Sequence, residues 1–395
     1  DHRFIVFASS QVTEKDGDQY PDQALSNDGS VMNIWEMNLT TEETTPLTFY
    51  EQTKVVWPLL SADKNKVFYL SNRVPEVEEE EIGVTNNVYA FDFETGHHQA
   101  LTTFNIPDVL CAGIHPHPDG EYIYTQCNAD NLYEEIKKSG WNLWRASVDG
   151  SELTQLTLLP ISGYAGQAFS HHGDLTYFNA SMSPEPQRRD EPHSVGIWSY
   201  NKRTSQFTSI AEGGESSNGV QYRNGIISPD GSQIVCHSNR SDGDSHVASN
   251  ATNLWLMDPD GNNQSRLTPF TAGQSRWPAW SQDGTKIYFS TTVDPDDFDQ
   301  SITPMNAAII DGDGQNLVFL TSNKTATSHF GFLTEDGSQM IFSSNMGLDG
   351  SDIEGVFNLW IIDVDGTNMR PLTEFTEASV QLRHFNSVYT REVCE

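Results

Sequence analysis

The chain has no run of 18 apolar residues, which excludes a membrane-spanning helix and leads us to expect no membrane insertion. Cations are scarce. Lysine and arginine number 22 against 55 aspartates and glutamates, for a net charge of −33. Phosphate binding needs basic patches, so no nucleic acid and no anionic membrane surface is expected as a partner. The same acidity fits a soluble extracellular protein, and it also serves plain colloidal solubility. No Gly-x-Ser-x-Gly elbow, Walker loop, Cys-x-x-Cys or His-Glu-x-x-His occurs, so serine-hydrolase, nucleotide and zinc-protease readings are poor. Cysteine is limited to Cys111, Cys127, Cys236 and Cys394. No signal peptide is visible. The chain opens on strand-like Phe4-Ile5-Val6-Phe7, as a mature form with its leader removed would. Sequons at Asn38, Asn179, Asn239, Asn250, Asn263 and Asn323 are a weak sign of secretion in a chain rich in Asn.

What the chain does have is a repeat of about 55 residues. Its mark is Asn-apolar-aromatic: Asn33-Ile34-Trp35, Asn87-Val88-Tyr89, Asn142-Leu143-Trp144, Asn253-Leu254-Trp255 and Asn358-Leu359-Trp360. Gly196-Ile197-Trp198 and Asn306-Ala307-Ala308 are weaker copies and bring the number to seven. A Leu-Thr pair follows 12 to 14 residues on, at 47, 101, 156, 267, 320 and 372, with Phe207-Thr208 in the fourth copy. Apolar alternation, aromatics and Gly turns at this spacing signal short antiparallel strands. Asp-Gly suits hairpins because Gly takes positive φ without a Cβ clash.

The fold class is therefore all-β: a seven-bladed β-propeller of four-stranded antiparallel blades. At 395 residues the chain exceeds one ordinary core, but each blade packs only on its neighbours. Residues 380–390 read as an innermost strand with no second strand after it, and Phe4 to Ala8 as a second strand with no first. Both belong in one blade, so the C-terminal strand closes the ring on the N-terminal blade and removes the open edges. The whole of 1–395 is one domain, with the first blade split between 1–49 and 380–390. The others fall at about 55–103, 110–157, 164–211, 219–269, 276–321 and 328–373.

Ser228-Pro229-Asp230-Gly231, His117-Pro118-Asp119-Gly120 and the Asp258-x-Asp-Gly-x-Asn263 turn resemble the TolB-type (PD40, or WD40-like) propeller repeat. The resemblance covers essentially the whole chain, with blades four and six degraded. It is specific for fold and poor for function, because that family includes periplasmic scaffold proteins, domains attached to peptidases and polysaccharide lyases of related shape.

Tight hairpins join first to second and third to fourth strands on one face. The second-to-third connections read as long loops on the other: 11–31, 73–85, 128–140, 181–195, 239–252, 293–304 and 345–356. Long loops on a rigid scaffold carry binding, so the site is expected on that face. Acidic runs lie there: Asp16, Asp18 and Asp22; Glu76 and Glu78 to Glu81; and Asp294, Asp296, Asp297 and Asp299. The last is the best candidate for calcium, which takes several oxygen ligands; solvated loops explain such runs equally. The Asp-x-Asp-Gly turns at 258, 311 and 363 resemble the start of an EF-hand loop but lack its later ligands, and hairpin geometry explains them. A lyase would need a cation for the uronate carboxylate with a base and an acid beside it. His193, Tyr222, Arg223 and Arg240 could supply that set, and scattered surface residues are the bland alternative. His115-x-His117 precedes a turn on the opposite face and reads as packed or solvated rather than as a metal pair.

A three-residue hairpin loop pairing His117 with Glu121 would put Cys111 opposite Cys127, close enough for a disulfide. Such a bond favours an oxidising compartment, extracellular or periplasmic. No bond is expected between Cys236 and Cys394. The favoured reading is a secreted or periplasmic non-catalytic binding or assembly module, holding a protein or a polysaccharide at the long-loop face, with no required cofactor and calcium optional. The alternatives are a polysaccharide lyase acting on a uronate-containing polymer, and a structural subunit built for self-assembly into an oligomer or fibre.

Overall fold

The computed structural model describes residues 2–10, 31–75, 81–107, 109–130, 137–157, 170–180, 195–214, 219–241, 244–348, 353, 355–376, 379–381 and 390–393. Among these every regular element is a strand, and no helix is long and apolar enough to cross a membrane. The strands form seven antiparallel sheets. The second blade holds Val55–Leu60, Lys66–Arg73, Ile82–Asp92 and His98–Ala100. The third holds Cys111–Pro116, Tyr122–Asp130, Lys137–Ser147 and Leu153–Gln155. The fourth holds Ser170–His172, Leu175–Ala180, Gly196–Asn201 and Gln206–Ala211. The fifth holds Tyr222–Ile227, Ile234–Ser241, Asp244–Met257 and Ser265–Arg266. The sixth holds Ser275–Trp280, Lys286–Asp294, Asp297–Asp311 and Val318–Phe319. The seventh holds Ser328–Leu333, Gln339–Ser344, Asn358–Asp363 and Arg370–Pro371. The first blade joins the chain ends. His2–Ser9 pairs outward with Asn33–Asn38, which pairs with Thr44–Pro46. On its inner side it pairs with Val380–Gln381 and Thr390–Val393, so Ser9 faces Val380 and Phe4 faces Arg391. The ring closes as expected.

The repeated Asn and Thr explain themselves as one hydrogen-bonded staple per blade. Asn253 Oδ1 accepts from Thr268 Oγ1 at 2.9 Å and from the Phe270 amide at 3.1 Å, while its Nδ2 donates to the Phe270 carbonyl at 3.0 Å. The Thr268 hydroxyl in turn accepts from the Leu254 amide at 2.9 Å. Asn33 with Thr48, Asn87 with Thr102, Asn306 with Thr321 and Asn358 with Thr373 repeat the arrangement, and Asn142 with Thr157 shares the side-chain link. The outermost strand is only two or three residues long in most blades, so these side chains satisfy buried backbone groups that a longer ladder would pair. In the fourth blade, where Gly196 replaces the Asn, Asn179 on the neighbouring strand donates to Gly196 O and Tyr222 O. Between the staples, third-strand aromatics pack into the seam with the preceding blade: Trp144 lies edge-on to Phe104 at 5.1 Å, and Trp198, Trp255 and Trp360 cluster with buried residues of the blade before. Trp35 and Trp144 are fully buried, each removing on the order of 200 Å² from water.

The Asp-Gly turns are closed by their own side chains. Ser228, Ser281 and Thr334 donate to Asp230, Asp283 and Asp336, and Asn263, Asn316 and Asn368 donate to Asp258, Asp311 and Asp363. The EF-hand-like turns are thus occupied by hairpin bonds.

Two expectations need correcting. Several long loops are extensions of the strands. In the sixth blade the second and third strands continue to Asp294 and from Asp297, leaving a two-residue turn where a loop over 293–304 was expected. The second, third and fifth blades carry similar hairpin arms. The sixth arm meets solvent on both faces, so its sequence shows no apolar alternation. The second correction is the third blade's register. Its turn spans four residues, with the Gly120 amide bonded to His117 O, and His117 faces Tyr122 rather than Glu121. A bulge at Gly113, at φ 77°, then shifts the register back, so Cys111 faces Cys127 after all. The two are disulfide-bonded, with Cα atoms 4.0 Å apart.

Candidate functional site

Five of the inner strands carry an irregularity at one level, near the end from which the arms rise. The register shifts after Val56, Ala112, Arg223, Arg276 and His329. Beyond this point Trp57, Gly113, Asn224 and Trp277 all have φ between 54° and 77°. Glycine adopts this conformation freely, but a tryptophan does not, and strain of about 1–3 kcal/mol is held there. Bulges re-aim the side chains beside them. The residues at this level on consecutive blades are Arg223, Arg276 and His329, so three blades of a strongly acidic chain place cationic or titratable types on neighbouring inner strands.

Arg276 is the most informative of them. It is half-buried, and burial pulls its guanidinium below the usual arginine range. Among the described residues it has no carboxylate partner. A desolvated cation without an anion is costly unless a ligand supplies one. Arg223, one blade back, donates from Nε to Gln221 Oε1 at 2.9 Å.

The arms add apolar surface above this level. Of the seven large apolar side chains exposed among the described residues, Ile82, Val84, Phe298 and Leu348 lie on second-to-third connections. Ile82 and Val84 alternate along one edge of the second blade's arm, and exposed Leu110 lies at its foot, where Asn86 and Leu110 bridge the blades. Phe298 packs edge-on to Phe270 at 5.2 Å and leans the sixth arm on the preceding blade.

The residues expected for a lyase are distributed differently. Tyr222 is 3% exposed and points into the packing between the fourth and fifth blades. Its hydroxyl donates to Gln264 Oε1 at 3.0 Å, and burial raises its pKa. Arg240 also bonds Gln264 and stacks over Trp255 at 4.8 Å. Tyr222 and Arg240 are thus brought together on Gln264, while Arg223 is held apart by Gln221. His193 lies outside the described residues, as do Asp16, Asp18, Asp22, Glu76, Glu78 to Glu80 and Cys394.

The four aspartates of the sixth arm flank its turn. Asp294 and Asp296 share Lys324 at 3.2 and 2.9 Å; Asp299 accepts from Thr271; Asp297 caps the Asp299 amide at 3.1 Å. Among the described residues no three imidazole, thiolate or carboxylate groups converge as metal ligands. Cys236 is buried and free, its thiol pushed up by desolvation.

Of this level Arg223 was among the expected site residues, whereas Arg276 was not, because in the sequence it looks like an isolated surface cation. A signal was present: Trp57-Pro58 and Trp277-Pro278 recur at one place in the repeat. Pro restricts the residue before it, and a bulky residue there marks a strand that cannot be regular.

No family model matches the chain, and no curated protein matches it in sequence. Solved structures do match in shape. A puromycin-hydrolysing peptidase of Mycobacterium tuberculosis aligns with a TM-score of 0.60 at 13% identity, over 89% of this chain and 51% of that one. An oligogalacturonate lyase of Vibrio parahaemolyticus aligns at 0.56 and 11% identity, over 94% and 86%. TolB of Acinetobacter baumannii aligns at 0.47 and 13% identity, over 96% and 66%. This chain therefore spans about half the length of the peptidase. At such identities the likeness is one of fold, and the chain is a seven-bladed propeller.

Proposed function

We propose that the chain is a non-catalytic binding module, extracellular or periplasmic, whose ligand seats at the arm face and sets a carboxylate against Arg276. The observation that carries this reading is the half-buried Arg276 guanidinium without an ion-pair partner among the described residues. In a chain of net charge −33 a half-buried cation without an ion pair among the described residues is out of character. The apolar Ile82 and Val84 on the arm suit the contact surface of an acidic protein segment. The Cys111–Cys127 bond supports an oxidising compartment.

The adjacent Trp277 makes a reporter. Tryptophan fluorescence of the full chain, titrated with acidic peptides and with oligogalacturonate, should show saturable binding. Arg276→Gln should weaken it at least tenfold, about 1.4 kcal/mol, and leave thermal stability unchanged or raised. No binding by any carboxylate ligand, or equal binding by Arg276→Gln, sinks the reading.

The second reading is a uronate-polymer lyase. It is favoured by Arg223 and Arg276 standing at one level of adjacent inner strands, and opposed by the inward Tyr222 hydroxyl. Appearance of the unsaturated product during the oligogalacturonate titration decides for the lyase.

A further inference from the structure

On the tight-turn face, the seam between the third and fourth blades holds a cluster that the repeat does not explain. Where other blades close the first turn with Ser61, Ser228, Ser281 or Thr334, the third has His117. The fourth blade, with a two-residue turn at Gly173 and Asp174, presents His171 against it. The two ring centroids are 4.9 Å apart at 62°. Tyr124 completes a triangle, 5.4 Å from His171 and 6.0 Å from His117.

Both imidazoles are anchored through Nδ1. His117 Nδ1 lies 2.9 Å from the Asp119 carboxylate and 3.3 Å from the Asp119 amide; the closer, charged oxygen takes its proton. His171 Nδ1 lies 3.0 Å from Thr176 Oγ1. The Nε2 atoms of both rings and the Tyr124 hydroxyl are then buried without a hydrogen-bond partner. The Gly173 carbonyl lies near His117 and the Thr176 hydroxyl near Tyr124, outside hydrogen-bond geometry.

We propose that His117 Nε2, His171 Nε2 and the Tyr124 oxygen bind a divalent first-row transition ion such as Zn²⁺, which clips the third blade to the fourth. Two imidazoles on one tetrahedral ion, with metal–nitrogen distances of about 2.0 Å, place their ring centroids about 5 Å apart, as observed. Metal-binding histidines characteristically hand the other ring N–H to a carboxylate or similar oxygen, the arrangement Asp119 gives His117. A ligand imidazole must be neutral, and burial favours that form in both rings. Lys202 shares the Asp119 carboxylate and tempers its charge. The His117 imidazole takes the place of the turn-closing hydroxyl that other blades use, which leaves its Nε2 for the ion.

The test is calorimetric titration of the chelator-treated full chain with Zn²⁺, repeated with Co²⁺ for its visible spectrum. We expect one tight equivalent and tetrahedral cobalt bands. His117→Ser restores the residue found in sister blades, and should weaken that equivalent at least a hundredfold. His97→Gln, an exposed histidine, should leave it intact. Equal Zn²⁺ binding by the wild type and His117→Ser overturns the proposal. If His117→Ser does not fold, X-ray absorption of the Zn²⁺-loaded wild type decides: a shell with two imidazoles supports the site, and an oxygen-only shell overturns it.

Discussion

Asn253 shows how much a single residue carries. Its side chain serves the Thr268 hydroxyl and both backbone groups of Phe270, and Asn253→Ala would leave those groups buried and unpaired. Each orphan costs about 1–3 kcal/mol, so the variant should lose on the order of 3 kcal/mol, read as a lower urea midpoint with unchanged slope. The strongest pattern in the sequence is therefore a structural staple, which is why it revealed the fold and concealed the site. His98 makes the complementary case for pH. Its Nδ1 lies 2.9 Å from the Tyr69 hydroxyl, and burial, helped by Arg73, pushes its pKa down to about 4. The folded chain keeps this imidazole neutral while the unfolded chain protonates near 6.5. Its contribution is full above pH 6.5 and is lost as pH falls from there toward 4, up to about 3 kcal/mol. His98→Gln should flatten the stability profile over that window relative to the wild type; parallel profiles would show that His98 titrates normally.

At the scale of elements, the blades were legible and the arms were not. Strands that are buried on both faces, such as Leu254 to Met257, announce themselves by apolar and aromatic content. The segment Asp297 to Ile302 is polar and largely exposed although it is strand, and its pairing follows from continuing the register of the strands below. The sixth arm is pinned by Phe298 on Phe270 and by the Asp299–Thr271 bond. Phe298→Ser should raise hydrogen exchange across 293–302 while the melting temperature of the whole chain stays within a degree or two of the wild type. A cooperative loss of the entire blade would mean the arm belongs to the core. Arg276 was legible as a residue but not as a site, because the bulge that aims it appears only once neighbouring strands are paired.

For the whole molecule, the decisive contact is the one between the ends of the chain. Val380–Gln381 and Thr390–Val393 supply the inner edge of the first blade. A chain ending before Val380 would leave His2–Ser9 with an open inner edge. It should unfold at lower urea, and it should self-associate where the full chain does not under the same conditions, as light scattering would show. A truncated chain as stable and monodisperse as the full one would deny the closure its role. The split blade was readable from the sequence because a count of complete units left half a blade at each end.

The identical staples have a consequence for assembly. Asn87 with Thr102 and Asn358 with Thr373 are interchangeable in geometry, so the staple does not distinguish the blades that carry it from one another. A nascent propeller could skip a unit or recruit one from another chain and still satisfy every staple. The single joint made from both termini acts as the checksum: it completes itself when all the intervening blades are present, in order, and from one polypeptide.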